Sequence, residues 1–243
     1  GLAAFLWRLI LTPGTGSIFG FLVARSSYDA ALMAPMFIIM SFSFGLAIFI
    51  LVLLASYNWT GRELGDEIVS RLRNLLGVFI AAVLYFVVVY HLTNLYGTEN
   101  HEFEAFILRD GGVYTWTFWI GWVLLGMLVP MGILFHPALG MQRGAITIAA
   151  FLVVLGGLSA NYVIVIGGQA FPLNMFPGHT IIESGYYDGV NGMARAYSPS
   201  LPEFLLGLGG FALALLATFI GVRLMQFLPT SLADDIASPQ PAK

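Results

Sequence analysis

Apolar residues run along this chain in long blocks, separated by short clusters of charged and polar ones. A helix rises about 1.5 Å per residue, so about twenty apolar residues in a row cross a hydrocarbon core of about 30 Å. Five blocks meet that length, at about 31–56, 75–96, 114–135, 144–171 and 201–227. The pattern predicts an all-α polytopic membrane bundle with about five transmembrane helices. The block 144–171 is the clearest, because no charged residue interrupts it. Its last third changes character, with Asn161, Tyr162, Gly167, Gly168 and Gln169 at one end of an otherwise apolar helix. In lipid those groups need partners from neighbouring helices or a wet cavity, so this end is where polar interior space is expected.

The stretches between the blocks set the domain organisation. Residues 1–30 read as the stub of a preceding helix and a connecting segment, with Thr12-Pro13-Gly14-Thr15-Gly16 breaking the apolar run. Residues 31–228 form the five-helix bundle. Within it, 57–74 reads as a short interfacial helix, with Thr60 and Glu63 as a capping box and Glu67 four residues before Arg71. An acidic loop, 97–113, carries Glu99, Glu102, Glu104 and Asp110. Tyr114, Trp116, Trp119 and Trp122 then read as an aromatic belt at the water boundary, and Pro130 predicts a kink. The long polar connection 172–202 ends on Ser200-Leu201-Pro202-Glu203, a capping box for the last span. In that span Gly207, Gly210, Ala214, Ala217 and Gly221 form a stripe that lets another helix approach closely. The tail 229–243 is polar, contains proline and reads as disordered.

Composition agrees with the membrane reading: 58% of residues are hydrophobic and 9% charged, against about a quarter charged in a soluble domain. The chain has no cysteine, so it offers no thiolate for an iron–sulfur cluster and no disulfide. Nine arginines and Lys243, scattered singly or in pairs, make no nucleic-acid patch. Five spans put Arg8, Arg25, Arg109 and Arg195 on one side and Arg62, Arg71, Arg73, Arg143, Arg223 and Lys243 on the other. Six against four favours the second side, with the C-terminus, as cytoplasmic.

Few chemistries survive this inventory. A b-type haem needs two ligands at similar depth, and His91 and His136 lie at opposite faces. No recognisable nucleophilic triad or phosphate-binding glycine pattern is present. Quinone chemistry fits better, since a quinol needs an apolar slot, partners for two oxygens and a group to take protons. His91, about one turn inside the boundary, is the candidate proton acceptor, with Tyr90 or Asn94 for an oxygen. On the sequence alone the simpler reading of His91 is an interfacial cap, or a side chain snorkelling to the boundary. Arg25 and Asp29 admit a proton path or quinone pocket, or an ion pair fixing the first span's entry. Tyr162 and Gln169 line a pocket or bond the polar loop. Every carboxylate falls in a loop or at a span end, which argues against an ion or proton translocator. A structural anchor for extrinsic redox subunits is the other alternative.

The segments Leu11-Thr12-Pro13-Gly14-Thr15-Gly16-Ser17-Ile18-Phe19-Gly20, Ala24-Arg25-Ser26-Ser27-Tyr28-Asp29, Tyr90-His91-Leu92-Thr93-Asn94 and Val165-Ile166-Gly167-Gly168-Gln169 together resemble the polysulfide reductase NrfD-type family of membrane subunits. Within it the likeness is to the ten-helix DsrP branch, over the C-terminal half of that fold. Ser198-Pro199-Ser200-Leu201-Pro202-Glu203 also resembles the family. The resemblance implies a subunit of a bacterial or archaeal inner membrane that exchanges electrons between menaquinone or ubiquinone and a periplasmic, ferredoxin-like iron–sulfur subunit. It further implies other membrane and cytochrome subunits and an N-terminal helical half as partners, with no haem or cluster in this chain. Asn161 stands near where relatives would carry a basic residue, and the family's better established quinone pocket belongs to the N-terminal bundle.

Overall fold

The computed structural model describes residues 2–23, 25, 27–171, 199–225, 229 and 231–233. Helices dominate, as expected, and among the described residues the only bridge between extended segments joins Leu64 to Leu232. We label the helices α1 (Leu2–Gly20), α2 (Met33–Thr60), α3 (Asp66–Tyr96), α4 (His101–Ala105), α5 (Val113–Phe135), α6 (Arg143–Ala170) and α7 (Leu201–Leu224). Of these, α2, α3, α5, α6 and α7 are long and apolar enough to cross a membrane.

Three local readings are corrected. The run 12–16 does not break the chain, because α1 continues through Pro13. Gly16 explains the tolerance: a Cβ there would stand 2.7 Å from the Met33 carbonyl oxygen and 2.8 Å from the Ala34 Cα. That close approach packs α1 along α2, and tertiary contact outweighs the local cost of proline. Second, 57–74 is not a separate helix. Thr60 ends α2, its hydroxyl donating to the Ser56 carbonyl at 2.8 Å, and Gly61 closes the helix in the left-handed region at φ 63°. The rest of the stretch forms the turn and the first turns of α3, where Glu67 pairs with Arg71. Third, most of the acidic loop is helical. A tight turn at Thr98–Asn100 leads into α4, and wide turns over Phe106–Asp110 follow.

The core is built by α2, α3, α5 and α6. Helices α5 and α6 cross where Gly126 meets Gly156, so close that a Cβ on either would lie 2.6 or 2.3 Å from the other's Cα. Both helices contain wide turns, at Thr117–Leu128 before Pro130 and at Tyr162–Gly167. The irregularity expected at Pro130 takes this form. The aromatic belt is half corrected: Trp116 is exposed, whereas Tyr114 and Trp122 are buried in the core.

The capping box of the last span is present, with Ser200 N–H donating to Glu203 Oε2 at 2.8 Å. The small-residue stripe of α7, by contrast, packs against none of the described residues: none of their atoms lies within 4 Å of a Cβ at Gly207, Gly210 or Gly221. The tail's described residues are tied down, with Leu232 exchanging backbone bonds with Glu63 and Gly65. The connection expected at 172–202, up to residue 198, and the tail beyond 233 lie outside the described residues.

Candidate functional site

His91 and Asn94 are three residues apart on α3 and therefore share a face. The chain leaves α3 at Gly97, in extended conformation, and α4 doubles back against that face. Phe103 and Ile107 go into the core, and between them Glu104 is carried in with no exposed surface. Its Oε2 lies 2.6 Å from His91 Nδ1, and its Oε1 accepts from Asn94 Nδ2 at 2.8 Å. The imidazole is wedged edge-on against Phe118 and Tyr90 and is 13% exposed. A buried carboxylate costs several kcal/mol unless it is paired and hydrogen-bonded, and here each oxygen has one partner.

A second set of bonds closes the same end of the bundle. Helix α6 ends with carbonyls that have no partner within the helix. Arg25 Nη1 lies 3.0 Å from the Gln169 oxygen and 3.3 Å from that of Gly168, and Ser27 Oγ donates to Gly168 at 3.1 Å. The Tyr28 hydroxyl donates to the Ile164 carbonyl at 2.9 Å. Burial pushes the Tyr28 phenol up to about 12, with the Arg25 charge opposing. The Tyr90 hydroxyl joins the two sets by donating to the Ser27 carbonyl at 3.0 Å.

Among the sequence candidates, His91 and Asn94 are therefore joined through Glu104, and Tyr90 adjoins His91. Arg25 caps α6 through the backbone of Gln169, a cation at a helix C-terminus. It forms no ion pair with Asp29, which is exposed, because the α6 carbonyls take its guanidinium instead. Tyr162 is half-buried and stacks on Tyr114 at 5.6 Å. Asn161 is exposed and its amide turns back to the Gly157 carbonyl.

Sequence reasoning missed Glu104 and Trp122. A signal for Glu104 existed, since Phe103, Phe106 and Ile107 recur at helical spacing inside the acidic stretch. Trp122 lines a cavity of about 30 Å³ shared with Met33, Met36, Tyr90, His91 and Ile164. Its Nε1 is buried without a partner among the described residues, and His91 Nε2 has none there either. The space suits a water molecule. It does not suit a quinone ring, since ligand pockets run to about 300–1,000 Å³, and Tyr90, Asn94 and His91 Nδ1 already spend their bonds within the protein. Among the described residues no three histidine or carboxylate side chains gather as metal donors.

Comparison with known proteins agrees with this architecture. The chain is 29% identical, over 97% of its length, to an Hdr-like menaquinol oxidoreductase integral membrane subunit of Archaeoglobus fulgidus, of which it covers 59%. It is 27% identical over 93% to a selenate reductase subunit of Mesobacillus selenatarsenatis, covering 50% of that protein. It is 28% identical over 86% to a putative dimethyl sulfoxide reductase membrane subunit of Halobacterium salinarum, covering 48%. The chain thus spans about half the length of the curated relatives it matches. No solved structure is significantly similar to it. The model of the polysulphide reductase NrfD family matches residues 1–173, well over half of the chain, and the protein belongs to that family.

Proposed function

We propose that this chain is a membrane subunit of a quinol-linked oxidoreductase in which the His91–Glu104 pair handles protons. The observation that carries this reading is the fully buried Glu104 carboxylate, 2.6 Å from His91 Nδ1. A purely structural anchor has no use for a carboxylate at that depth, where an apolar residue of similar volume is commonly as stable or more so. The names of the relatives, among them a menaquinol oxidoreductase subunit, support the link to menaquinone or ubiquinone.

The residues divide the work as follows. Asn94 holds one carboxylate oxygen, and Phe118 and Tyr90 hold the imidazole plane. A proton arriving at His91 Nε2 through water in the adjoining cavity allows the Nδ1 proton to pass to Glu104 Oε2. The ring is left as the other neutral tautomer and the carboxyl is neutral, so the relay removes the negative charge that the ionised Glu104 holds in the core. No step places a quinone ring at His91. Electrons leave the pool elsewhere in the assembled complex, toward a periplasmic iron–sulfur subunit with further membrane and cytochrome subunits. The end of the bundle that carries Glu99, Glu102 and Asp110 is the docking face. On the resemblance to the DsrP branch, the complex serves respiratory sulfur metabolism.

The test uses the purified complex, with quinol-driven turnover and binding of a fluorescent quinol analogue measured side by side. In Glu104→Gln and His91→Ala, turnover is expected to fall by about 10²-fold, the usual scale for a lost proton-transfer group. Analogue affinity should change by less than about twofold, with extrinsic subunits still bound. Undiminished turnover would overturn the proton role. A tenfold loss of analogue affinity in His91→Ala would instead put the quinone site at His91.

A further inference from the structure

At the end of the bundle opposite Glu104, the end of α2, the turn into α3 and the start of α6 enclose a groove of about 630 Å³. Leu51, Leu54 and Ala55 of α2 supply an apolar wall, and Arg62 and Arg143 stand at the groove with no carboxylate among its described lining residues. The environment of Arg143 is informative. Its Nη2 is held by Asp66 Oδ1 at 2.7 Å and by the Leu64 carbonyl, whereas Nε and Nη1 bond no described residue. The ion pair therefore fixes the guanidinium and leaves the single donors Nε and Nη1 for something else. Arg62 is steadied by the Pro229 carbonyl, 3.0 Å from its Nη1. The first turn of α6 adds the positive end of a long helix whose N-cap residue, Gln142, makes no side-chain cap.

The neighbourhood is mixed but basic in balance, with Arg62, Arg71, Arg73 and Arg143 against Glu63, Asp66 and Glu67, of which Asp66 pairs with Arg143 and Glu67 with Arg71. Arg71 and Arg73 stand at this end, and Arg73 bridges to the Gly140 carbonyl across the α5–α6 turn. The far end carries Glu99, Glu102 and Asp110. A groove that combines an acyl-sized apolar wall with two guanidinium groups, at the basic end of a membrane bundle, fits an amphiphile with an anionic head. A zwitterionic head would set its own cation against the arginines, and the carboxylate at Arg143, Asp66, is already taken by that guanidinium. We propose that this groove binds an anionic phospholipid, its phosphate at Arg143 and Arg62 and an acyl chain along Leu51, Leu54 and Ala55. The proposal is independent of the proton role of Glu104.

The test titrates acyl-labelled phosphatidylglycerol and phosphatidylcholine into the purified complex in neutral detergent. Phosphatidylglycerol should bind more tightly, and the preference should fall about fivefold for each arginine replaced, in Arg62→Gln and Arg143→Gln. Asp66→Asn separates the head contact from the fold, because it breaks the ion pair but keeps the guanidinium, and it should retain the preference. Arg62→Gln leaves the Arg143–Asp66 pair intact and keeps the test open if Arg143→Gln misassembles. Thr147→Phe, on the groove wall, should weaken phosphatidylglycerol binding. Equal affinity for the two lipids, a preference unchanged in Arg62→Gln, or displacement of the labelled lipid by the fluorescent quinol analogue would each overturn the proposal.

Discussion

Glu104 illustrates how a single residue changes meaning with its surroundings. Read along the chain, it is one of several acidic residues in a polar stretch; in the fold it is fully buried and bonded to His91 and Asn94. Spacing could not reveal this, because the partners come from α3 and the contact depends on the chain reversing at Gly97. Tyr28 is a parallel case on the other side of the site. Its hydroxyl satisfies carbonyls of Ile164 and Val165, left open by the wide turns of α6. Tyr28→Phe removes the donor from those buried acceptors and should cost about 1–2 kcal/mol, read as a lower thermal midpoint. The pH dependence follows from the phenol being pushed up to about 12 from its ordinary 10.0. A group raised in the folded state contributes stability that is complete below its unfolded value and lost as pH rises through the folded one. The wild type should therefore lose stability between about pH 10 and 12 more steeply than Tyr28→Phe, and parallel curves would refute the assignment.

At the scale of elements, helix packing here rests on glycine contacts of two kinds. Where Gly126 crosses Gly156, backbone meets backbone, so neither position has a flexible side chain that could give way. Gly156→Ala should force α5 and α6 apart, at a cost of about 1–3 kcal/mol for overpacking. Gly132→Ala on α5, where no described residue lies within 4 Å of the added Cβ, is the control and should be neutral or slightly stabilising. Equal thermal midpoints for the two variants would show that the crossing is not tight. Gly168 is the second kind, since a Cβ there would meet the Tyr28 ring at 2.7 Å. The sequence pointed to a different glycine set, the stripe on α7, which packs against none of the described residues. Small residues mark where a helix is able to approach closely; which helices do so is decided by the arrangement of the bundle.

For the whole molecule, the distribution of charge between the two ends governs orientation and docking. The end with Arg62, Arg71, Arg73 and Arg143 is expected to face the cytoplasm, and the end with Glu99, Glu102 and Asp110 the outside. A chain without cysteine makes this directly measurable. Single replacements Thr98→Cys, before α4, and Leu139→Cys, in the exposed turn between α5 and α6, should react with a membrane-impermeant maleimide from opposite sides. Labelling of Leu139→Cys from the outside would invert the orientation and move the proposed docking face to the other compartment.

The sequence by itself determined the fold class and the positions of the five spans, because burial of long apolar runs in lipid is a property of composition and length, independent of neighbours. It also determined the capping box at Ser200 and Glu203 and the pairing of Glu67 with Arg71, both of which follow from spacing along one helix. Only the tertiary structure decided that α1 runs on through Pro13, that Arg25 caps α6 and leaves Asp29 unpaired with it, and that Glu104 reaches His91. Each of these turns on a contact between segments far apart in sequence or across a chain reversal. There the energy of packing and of satisfying buried polar groups outweighs the local preferences that a sequence displays.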